Sequence, residues 1–292
     1  MTTIAVTAAT GHLGRHVVDA LIDRGVEPTS IVAAVRTPEK AADLAARGVE
    51  VREADYTRPE TLGPALAGVD RVLLISSSEV GQRDAQHANV VAAAKEAGVS
   101  LLAYTSILNA ETTTALLAQE HQATEARLRE SGLDVVLLRN GWYTENYTDL
   151  LAQTLEHGLA GSAGDGRVQT ATRRDYAEAA AVVLTTDGHA GKAYELAGDE
   201  GVTMTELAAL ISEATGREVS YADLPVDGYA EVLAGAGLPE PLNGIIADSS
   251  AAIARGELVT DSGDLARLIG RPTTPVAQTV REAAASLAGA AS

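Results

Sequence analysis

The chain has 292 residues, 46% of them hydrophobic, which is enough for one large α/β domain or a domain that carries a smaller lobe. Cysteine is absent, which excludes disulfides, thiolate metal sites and a cysteine nucleophile, and which fits a reducing compartment. The formal net charge of −18 argues against a general nucleic-acid binder, because phosphate backbones would be repelled.

The sequence shows no targeting or membrane segment. Its first residues, MTTIAVTAATGHLG, lack the basic region and apolar run of a signal peptide. No uninterrupted apolar stretch reaches the roughly 18–20 residues that a membrane span needs. We therefore expect a cytoplasmic protein with no membrane partner.

Short apolar runs alternate with segments of helical periodicity over the first part of the chain. Strands are predicted at 4–7, 31–35, 49–51, 71–75, 101–104 and 135–138. Helices are predicted at 17–22, 38–46, 61–66, 89–97 and 119–130. Strands that alternate with helices form a parallel sheet with right-handed crossovers. The predicted fold class is therefore α/β, with a doubly wound parallel Rossmann sheet.

The alternation weakens after about residue 140. Residues 182–184 and 192–196 are predicted to extend the sheet, and a helix is predicted over 205–215 with Thr203 or Thr205 as its cap. The rest indicates a smaller, mainly helical lobe whose alanine-rich tail is frayed. We divide the chain into a Rossmann domain at 1–140 and a C-terminal lobe at 141–292, packed as one compact unit.

The segment AATGHLG at 8–14 lies between the first strand and the first helix, where a dinucleotide-binding loop belongs. Gly11 lets backbone N–H groups approach a pyrophosphate at the helix N-terminus, and Gly14 lets helix and strand pack closely. Alanine replaces the first glycine of the usual pattern and adds strain of order 1 kcal/mol if that position needs a positive φ. The predicted contacts in this loop are Ala8, Thr10, Gly11, His12 and Leu13.

The end of the second strand indicates which dinucleotide is bound. A carboxylate there would accept hydrogen bonds from a ribose 2′-hydroxyl and repel a 2′-phosphate. The sequence at 33–36 is AAVR, with no acid, and Arg36 can hold a 2′-phosphate through charge-assisted bonds. We therefore predict NADP, as NADPH, as the cofactor, with Lys40 as a candidate helper. The alternative is that Arg36 is an ordinary solvated arginine.

Two further strand ends place polar side chains at the same edge of the sheet. Asp55 follows the third strand, where it either contacts the adenine or caps the strand end or next helix. Ser76, Ser77 and Ser78 follow the fourth strand, where they either face the diphosphate and the nicotinamide ribose or cap the next helix. Both sets are predicted cofactor contacts with a structural alternative.

Familiar catalytic motifs are absent from the sequence. Typical short-chain dehydrogenases use a tyrosine followed four residues later by a lysine that lowers the tyrosine pKa. The three lysines are Lys40, Lys95 and Lys192, and none stands four residues after a tyrosine. There is no G-x-S-x-G, H-E-x-x-H or Walker lysine. His12 and His16 lack a third ligand, so we expect no metal site.

Hydride transfer to an electron-poor acceptor remains. A quinone becomes aromatic when it is reduced, and its hydroquinone oxygens are weak acids that water can protonate. A protein that binds NADPH, orients the nicotinamide and shapes a pocket is then sufficient. The residues therefore favour reduction of a quinone or a similar small molecule, and no catalytic side chain is assigned.

Three strings carry a family resemblance: SSSEVGQR at 76–83, AYTS at 103–106 and RNGWYTENY at 139–147. They closely resemble the bacterial type 2 NAD(P)H:quinone oxidoreductases, atypical short-chain dehydrogenases related to NmrA-like proteins and triphenylmethane reductases. The likeness runs nearly end to end, although Ala8 departs from the family's glycine. It implies NADPH along the sheet edge and a quinone near the nicotinamide, and it leaves a homodimer open. It adds cofactor contacts at Asn140, Gly141, Trp142 and Tyr143.

Aromatic rings follow the sixth strand, where they can stack on a flat acceptor or form a structural cluster between sheet and lobe. His121 lies on the helix that holds the tyrosine of typical short-chain dehydrogenases, so it is either a proton donor or an exposed helical histidine. The pocket candidates are Tyr104, His121, Trp142, Tyr143 and Tyr147.

Three functions follow from these observations. The first is NADPH-dependent quinone reduction, the second is a non-catalytic NADP(H)-binding redox sensor of the NmrA type, and the third is reduction of another acceptor such as a triarylmethane dye or an azo compound. The missing Tyr–Lys pair suits the first two, and catalytic consumption of NADPH with a benzoquinone separates them.

Arg36 provides a direct test of the cofactor assignment. Wild-type protein should bind NADPH more tightly than NADH, and Arg36→Ala should lose about 1.5–3 kcal/mol of that preference, because a charge-assisted pair with the 2′-phosphate is removed. Titration calorimetry with both cofactors measures the difference, with NADH as the internal control. Equal dissociation constants for the two cofactors in the wild-type protein would contradict the assignment.

Overall fold

The structure, a computed structural model, describes residues 2–290. Its main sheet is formed by β1 (Ile4–Thr7), β2 (Ile31–Val35), β3 (Glu50–Glu53), β4 (Arg71–Leu74), β5 (Leu101–Ile107), β6 (Val135–Asn140) and β8 (Ala193–Leu196), and a small sheet by β7 (Leu159–Gly161) and β9 (Tyr221–Asp223). The order in the main sheet is β3-β2-β1-β4-β5-β6-β8, and the pairs β1–β2, β1–β4, β2–β3, β4–β5 and β5–β6 are parallel.

Helices connect these strands. In the first half of the chain they are α1 (His12–Asp23), α2 (Ala42–Ala46), α3 (Pro59–Leu66), α4 (Arg83–Glu96), α5 (Ala118–Glu130), α6 (Glu145–Thr148) and α7 (Leu151–His157). In the second half they are α8 (Arg173–Thr185), α9 (Met204–Thr215), α10 (Val226–Gly235), α11 (Leu242–Ala254), α12 (Asp264–Ile269) and α13 (Val276–Ala290). The predicted fold class, a doubly wound parallel sheet with a mainly helical C-terminal part, is confirmed.

The strand order reverses beside β1, which has β2 on one side and β4 on the other. Open parallel sheets bind their ligands outside the carboxyl ends of the strands at such a reversal. The reversal therefore places the functional cleft at the ends of β1, β2 and β4.

Alternate residues of the strands form a buried apolar core on one face of the sheet. Ala5, Val32, Val72 and Leu102 belong to one cluster with residues of α3 and α4. Successive side chains of a strand point to opposite faces, so their neighbours are buried on the other face. Burial on both faces explains why these strands read as continuous apolar runs.

The prediction that residues 182–184 extend the sheet is wrong. They lie in α8, which packs against α1 and whose buried residues include the small Ala177 and Ala180. Two successive valines favour a strand locally, but the alanines around them allow close approach of two helices. Strand β8 follows instead at Ala193–Leu196, within the second predicted extension.

The alanine-rich tail is helical rather than frayed up to Ala290, where α13 ends, and residues 291–292 lie outside the described residues. Alanine has the highest helix propensity, and the buried side chains of Val276 and Val280 anchor this helix to a core. The predicted helix at 38–46 forms a 3₁₀ turn at Pro38–Ala41 followed by α2.

The chain divides into two units that are each discontinuous. The first contains Met1–Ile107, Glu120–Asn140 and Arg173–Tyr194, and the second contains the remaining residues. The sequence-based boundary after residue 140 stays a prediction.

The second unit has its own apolar core. Met204, Leu207 and Ile211 of α9 are buried there with Val280 of α13. Within this unit, the hydroxyls of Thr113 and Thr114 each donate a hydrogen bond of 2.7 Å to the Glu257 carboxylate. Over residues 2–290, no helix has the length and apolar character needed to cross a bilayer.

A capping box begins α9. The Thr203 hydroxyl accepts a hydrogen bond from the Glu206 N–H (3.1 Å), and the Glu206 carboxylate accepts one from the Thr203 N–H (2.9 Å). Of the two predicted caps, Thr203 is the one used, and Thr205 lies exposed inside the helix.

Removing this cap should lower the free energy of unfolding. We expect Thr203→Ala to cost about 1 kcal/mol, because the Glu206 N–H loses its partner at the helix end. Thr205→Ala is the matched control and should change stability little, since alanine suits a helix interior. Urea unfolding of both variants measures the difference, and equal effects would show that the cap contributes nothing specific.

Candidate functional site

The loop between β1 and α1 brings the backbone close to itself. Ala8 has φ +49°, a left-handed conformation that non-glycine residues rarely adopt. The strain predicted for alanine at this position is therefore present. The Gly11 N–H donates to the Ala8 carbonyl at 2.9 Å. A Cβ at Gly14 would lie 2.7 Å from the Ala9 Cα and closer still to the Ala8 carbonyl oxygen, so only glycine fits there.

The N-terminus of α1 opens into this loop. Gly11 is its N-cap residue, so no side chain caps the helix, and the first turn has no acidic residue. The N-terminal N–H groups and the positive end of the helix dipole are thus available to an anion. The guanidinium of Arg15, on the same helix, donates to the Lys40 carbonyl (2.9 Å) and forms an ion pair with Asp43. These two contacts hold the turn that carries Lys40.

The ends of β2 and β3 form the opposite wall. Arg36 follows β2 and exposes 68% of its side chain. Asp55 follows β3, and its carboxylate accepts hydrogen bonds from the N–H (2.9 Å) and the hydroxyl (2.8 Å) of Thr57. Burial alone would raise the pKa of Asp55, but these hydrogen bonds and the nearby Arg36 and Arg58 lower it. Asp55 therefore caps the turn after β3 and also lines the cleft, and its contact with the adenine stays a prediction.

Side chains from neighbouring elements hold the segment after β4. The Ser76 N–H donates to the Thr105 hydroxyl (2.8 Å), and the Ser77 N–H donates to Nε2 of His87 (3.0 Å). Farther along, the Glu120 carboxylate accepts the Gly81 N–H (2.9 Å). These contacts hold two of the predicted serines, Ser76 and Ser77, and also Gly81, through side chains of β5, α4 and α5.

His87 has one tautomer in this arrangement. Its Nε2 accepts from Ser77, so Nδ1 carries the proton and donates to the Thr124 hydroxyl at 2.9 Å, while that hydroxyl donates to the Glu120 carbonyl. Burial, reinforced by the charge of Arg83, lowers the pKa of His87 to about 4. The ring is therefore neutral at neutral pH, as this hydrogen bond requires.

These elements enclose a cleft of about 410 Å³. It is lined by ten of the fourteen predicted cofactor contacts: Ala8, Thr10, Gly11, His12, Leu13, Arg36, Asp55, Ser76, Ser77 and Ser78. Lys40, the candidate helper, lines it too. The structure thus brings these residues together, and their contact with a cofactor stays a prediction.

Several lining residues were not predicted, notably Tyr56, Glu79 and Gln86. Glu79 belongs to the family string at 76–83, Gln86 lies three residues beyond that string, and Tyr56 follows Asp55 directly, so their positions near predicted contacts were the available signal. Gln86 is 4% exposed, and its buried Oε1 has no hydrogen-bond partner within residues 2–290. A ligand hydroxyl in the cleft would satisfy such an acceptor, and this fits a ribose.

Tyr104 and His121 lie inside the first unit. Tyr104 is fully buried and its hydroxyl is 2.8 Å from Nδ1 of His121, which is 5% exposed. Burial, together with the charge of Arg83, lowers the pKa of His121 to about 3, and burial raises the pKa of Tyr104. Neither lines the cleft. His121 is therefore not the exposed helical histidine of the alternative, and its role as proton donor stays a prediction.

Glu125 stands four residues after His121 on α5, and it forms a buried ion pair. Arg139 donates to both of its carboxylate oxygens (2.9 and 2.7 Å), and the Ser106 hydroxyl donates to one of them (2.6 Å). Removing one member of such a buried pair costs several kcal/mol. Glu125 therefore has a structural role.

The predicted residues at 140–143 and Tyr147 do not line this cleft. Asn140 ends β6. Trp142 and Tyr147 pack against the core of the second unit, where Tyr143 forms a β-bridge with Ala171. Trp142 and Tyr147 therefore contribute to the packing of the second unit, and the contact of all three rings with cofactor or acceptor stays a prediction. Across residues 2–290 no group of three or more His, Cys, Asp or Glu side chains is placed to hold a metal ion.

A doubly wound sheet whose first helix opens toward an arginine at the end of β2 defines a dinucleotide-binding Rossmann protein. The chain belongs to the NmrA-like family, which matches residues 1–258.

Proteins similar to this chain include oxidoreductases. Quinone oxidoreductase 2 of Escherichia coli (strain K12) is 50% identical over 278 residues, which are 95% of this chain and 97% of that protein. A crystal structure of the NADPH-dependent quinone oxidoreductase of Escherichia coli complexed with NADPH has a TM-score of 0.93 and 49% identity, and covers 96% of this chain and 99% of that one. Triphenylmethane reductase of Citrobacter sp., complexed with NADP(H), has a TM-score of 0.88 and 41% identity, with 96% and 99% coverage.

The two buried histidines predict a pH dependence of stability. In the unfolded chain, His87 and His121 become protonated near the ordinary histidine pKa of about 6.5. In the folded protein they become protonated only near their lowered pKa values of about 4 and about 3. Each histidine should therefore remove about 1.4 kcal/mol of stability per pH unit as pH falls below about 6.5 toward the lowered pKa.

His87→Gln should reduce the slope of the free energy of unfolding against pH, because glutamine takes up no proton when the chain unfolds. Urea unfolding between about pH 7 and about pH 5 measures the slope. His157→Gln, at an exposed position, is the matched control and should leave it unchanged. A wild-type stability that does not change over this range would contradict the assignment of neutral buried rings.

Proposed function

We propose that this protein is an NADPH-dependent oxidoreductase that transfers a hydride to a quinone or a similar electron-poor small molecule. One observation carries the proposal: a single cleft joins the uncapped N-terminus of α1 to the exposed guanidinium of Arg36. These two positive features suit a diphosphate and a 2′-phosphate on one molecule. The similarity to quinone oxidoreductases over nearly the whole chain supports the choice of reaction.

Residues of the first unit have distinct roles in this proposal. The backbone at Gly11, His12 and Leu13 holds the diphosphate, because its N–H groups have no helical partner. Arg36, with Lys40 nearby, holds the 2′-phosphate. When bound, NADPH supplies the hydride. The serine segment forms the wall beside it, positioned by the buried contacts described above.

The absence of a Tyr–Lys pair suits an acceptor that needs little proton help. Tyr104 and His121 are bonded to each other in the protein interior, so we assign them to the support of the site. The protein then contributes mainly binding and orientation. This division of work favours quinones and other electron-poor acceptors over alcohols and sugars.

We further place the protein in the cytoplasm, with a small-molecule partner and neither nucleic acid nor membrane. The absence of cysteine and the net charge of −18 support this placement. A homodimer is compatible with the family resemblance, and sedimentation equilibrium would measure it.

Steady-state kinetics test the proposed reaction. Mixed with NADPH and a benzoquinone, the protein should oxidise NADPH over many turnovers. We expect a rate reduction of about tenfold to a hundredfold, and no more, in each of Tyr104→Phe, His121→Gln and Tyr143→Phe, because none of these residues is a dedicated general acid. Circular dichroism checks that each variant is folded.

Two outcomes would contradict this reading. Tight NADPH binding without turnover, with quinones and with dye or azo acceptors, would instead fit a redox sensor. A loss of more than about a thousandfold in one folded variant that still binds NADPH would reveal a dedicated proton donor.

A further inference from the structure

Arg36, the predicted partner of the 2′-phosphate, already has a counterion. Its Nη1 lies 2.9 Å from Oε1 of Glu79, a residue of the segment after β4. Both side chains line the cleft, and the two residues follow different strands. The ion pair therefore links two walls of the cleft at the point where the phosphate would bind.

Glu79 is more firmly held than Arg36. Its Oε2 accepts a hydrogen bond from Nε2 of Gln86 at 2.7 Å, and its backbone N–H donates to the Ser77 hydroxyl at 3.1 Å. Gln86 is almost completely buried, whereas the arginine exposes 68% of its side chain. A ligand that enters the cleft therefore meets a fixed carboxylate and an arginine that can reorient.

A phosphate on the Arg36 guanidinium would lie within a few ångströms of the Glu79 carboxylate. Like charges at such a separation repel, and even at a partly solvated site the repulsion changes binding severalfold. The phosphate must also replace the carboxylate as the partner of the guanidinium. Both effects act on a 2′-phosphate and spare a 2′-hydroxyl.

We propose that Glu79 limits the selection for the 2′-phosphate by competing with it for Arg36, so that the carboxylate tunes how strongly the protein prefers NADPH over NADH. The inference rests on the proposed use of NADPH and adds a specificity-determining residue to it. Glu79 in this role acts on affinity and discrimination, and Arg36 remains the group that recognises the phosphate.

Titration calorimetry of Glu79→Gln tests the competition. Glutamine keeps the size of the side chain and an oxygen for Gln86, and it removes the charge. We expect NADPH and adenosine 2′,5′-bisphosphate to bind about threefold to tenfold more tightly, while NADH and 5′-AMP change less than about twofold. The gain should shrink at high salt, because partly exposed charges are screened.

Two controls isolate the local effect. Glu39→Gln makes the same change in net charge at an exposed position that does not line the cleft, and it should leave the NADPH preference unchanged. In an Arg36→Ala background, the selective gain from Glu79→Gln should be smaller, because the competition for the guanidinium is lost and only the direct repulsion between carboxylate and phosphate remains.

The outcomes separate this proposal from the proposed function. Weaker or unchanged NADPH binding in Glu79→Gln overturns the competition, and so does an equal gain in NADH affinity. Glu79 would then orient Arg36 or have no effect on the cofactor preference. An equal gain in Glu39→Gln overturns it as well. Absence of quinone reduction in the wild-type protein overturns the proposed reaction alone, since the binding measurements need no turnover.

Discussion

Position 14 has no room for a side chain, and the site depends on this constraint. The backbone of the loop after β1 passes so close to the start of α1 that any Cβ there would collide with Ala9. Close contact between loop and helix directs the first N–H groups of α1 into the cleft beside the sheet reversal. The chain accepts a left-handed alanine at position 8 to follow this path, at an energetic cost of order 1 kcal/mol.

The second wall of the cleft is built in a different way. No helix end shapes the segment after β4. Side chains hold it instead, with Thr105 and His87 accepting its N–H groups and Glu120 accepting that of Gly81. These acceptors are one hydroxyl, one neutral imidazole and one carboxylate, so this wall is held by several hydrogen bonds while Arg36 opposite it is exposed. In a chain with a net charge of −18, Arg36 and Lys40 in the lining of this cleft supply local attraction for an anionic cofactor.

The sequence by itself determined the class of the fold and most of one ligand cleft. Periodicity identified the first six strands and the helices between them, because buried parallel strands and amphipathic helices leave different local patterns. The glycine spacing at 8–14 identified the loop, because the close approach of backbone to backbone there requires glycine. The arginine in place of an acid after β2 identified the phosphate-binding candidate, because the charge of that side chain discriminates between a 2′-phosphate and a 2′-hydroxyl. Residues at successive strand ends could be grouped because the carboxyl ends of parallel strands share one edge.

Only the tertiary structure decided which side chains meet. Arg36 and Glu79 are 43 positions apart, and their pairing depends on the strand order, which local patterns do not encode. The same holds for the burial of Tyr104 and His121, since a tyrosine on a strand and a histidine on a helix carry no signal of their mutual contact. The helix at 182–184 was missed because its packing against α1 outweighs the strand preference of its valines. Long-range packing, which acts between residues far apart in the chain, thus settled what local propensity left open.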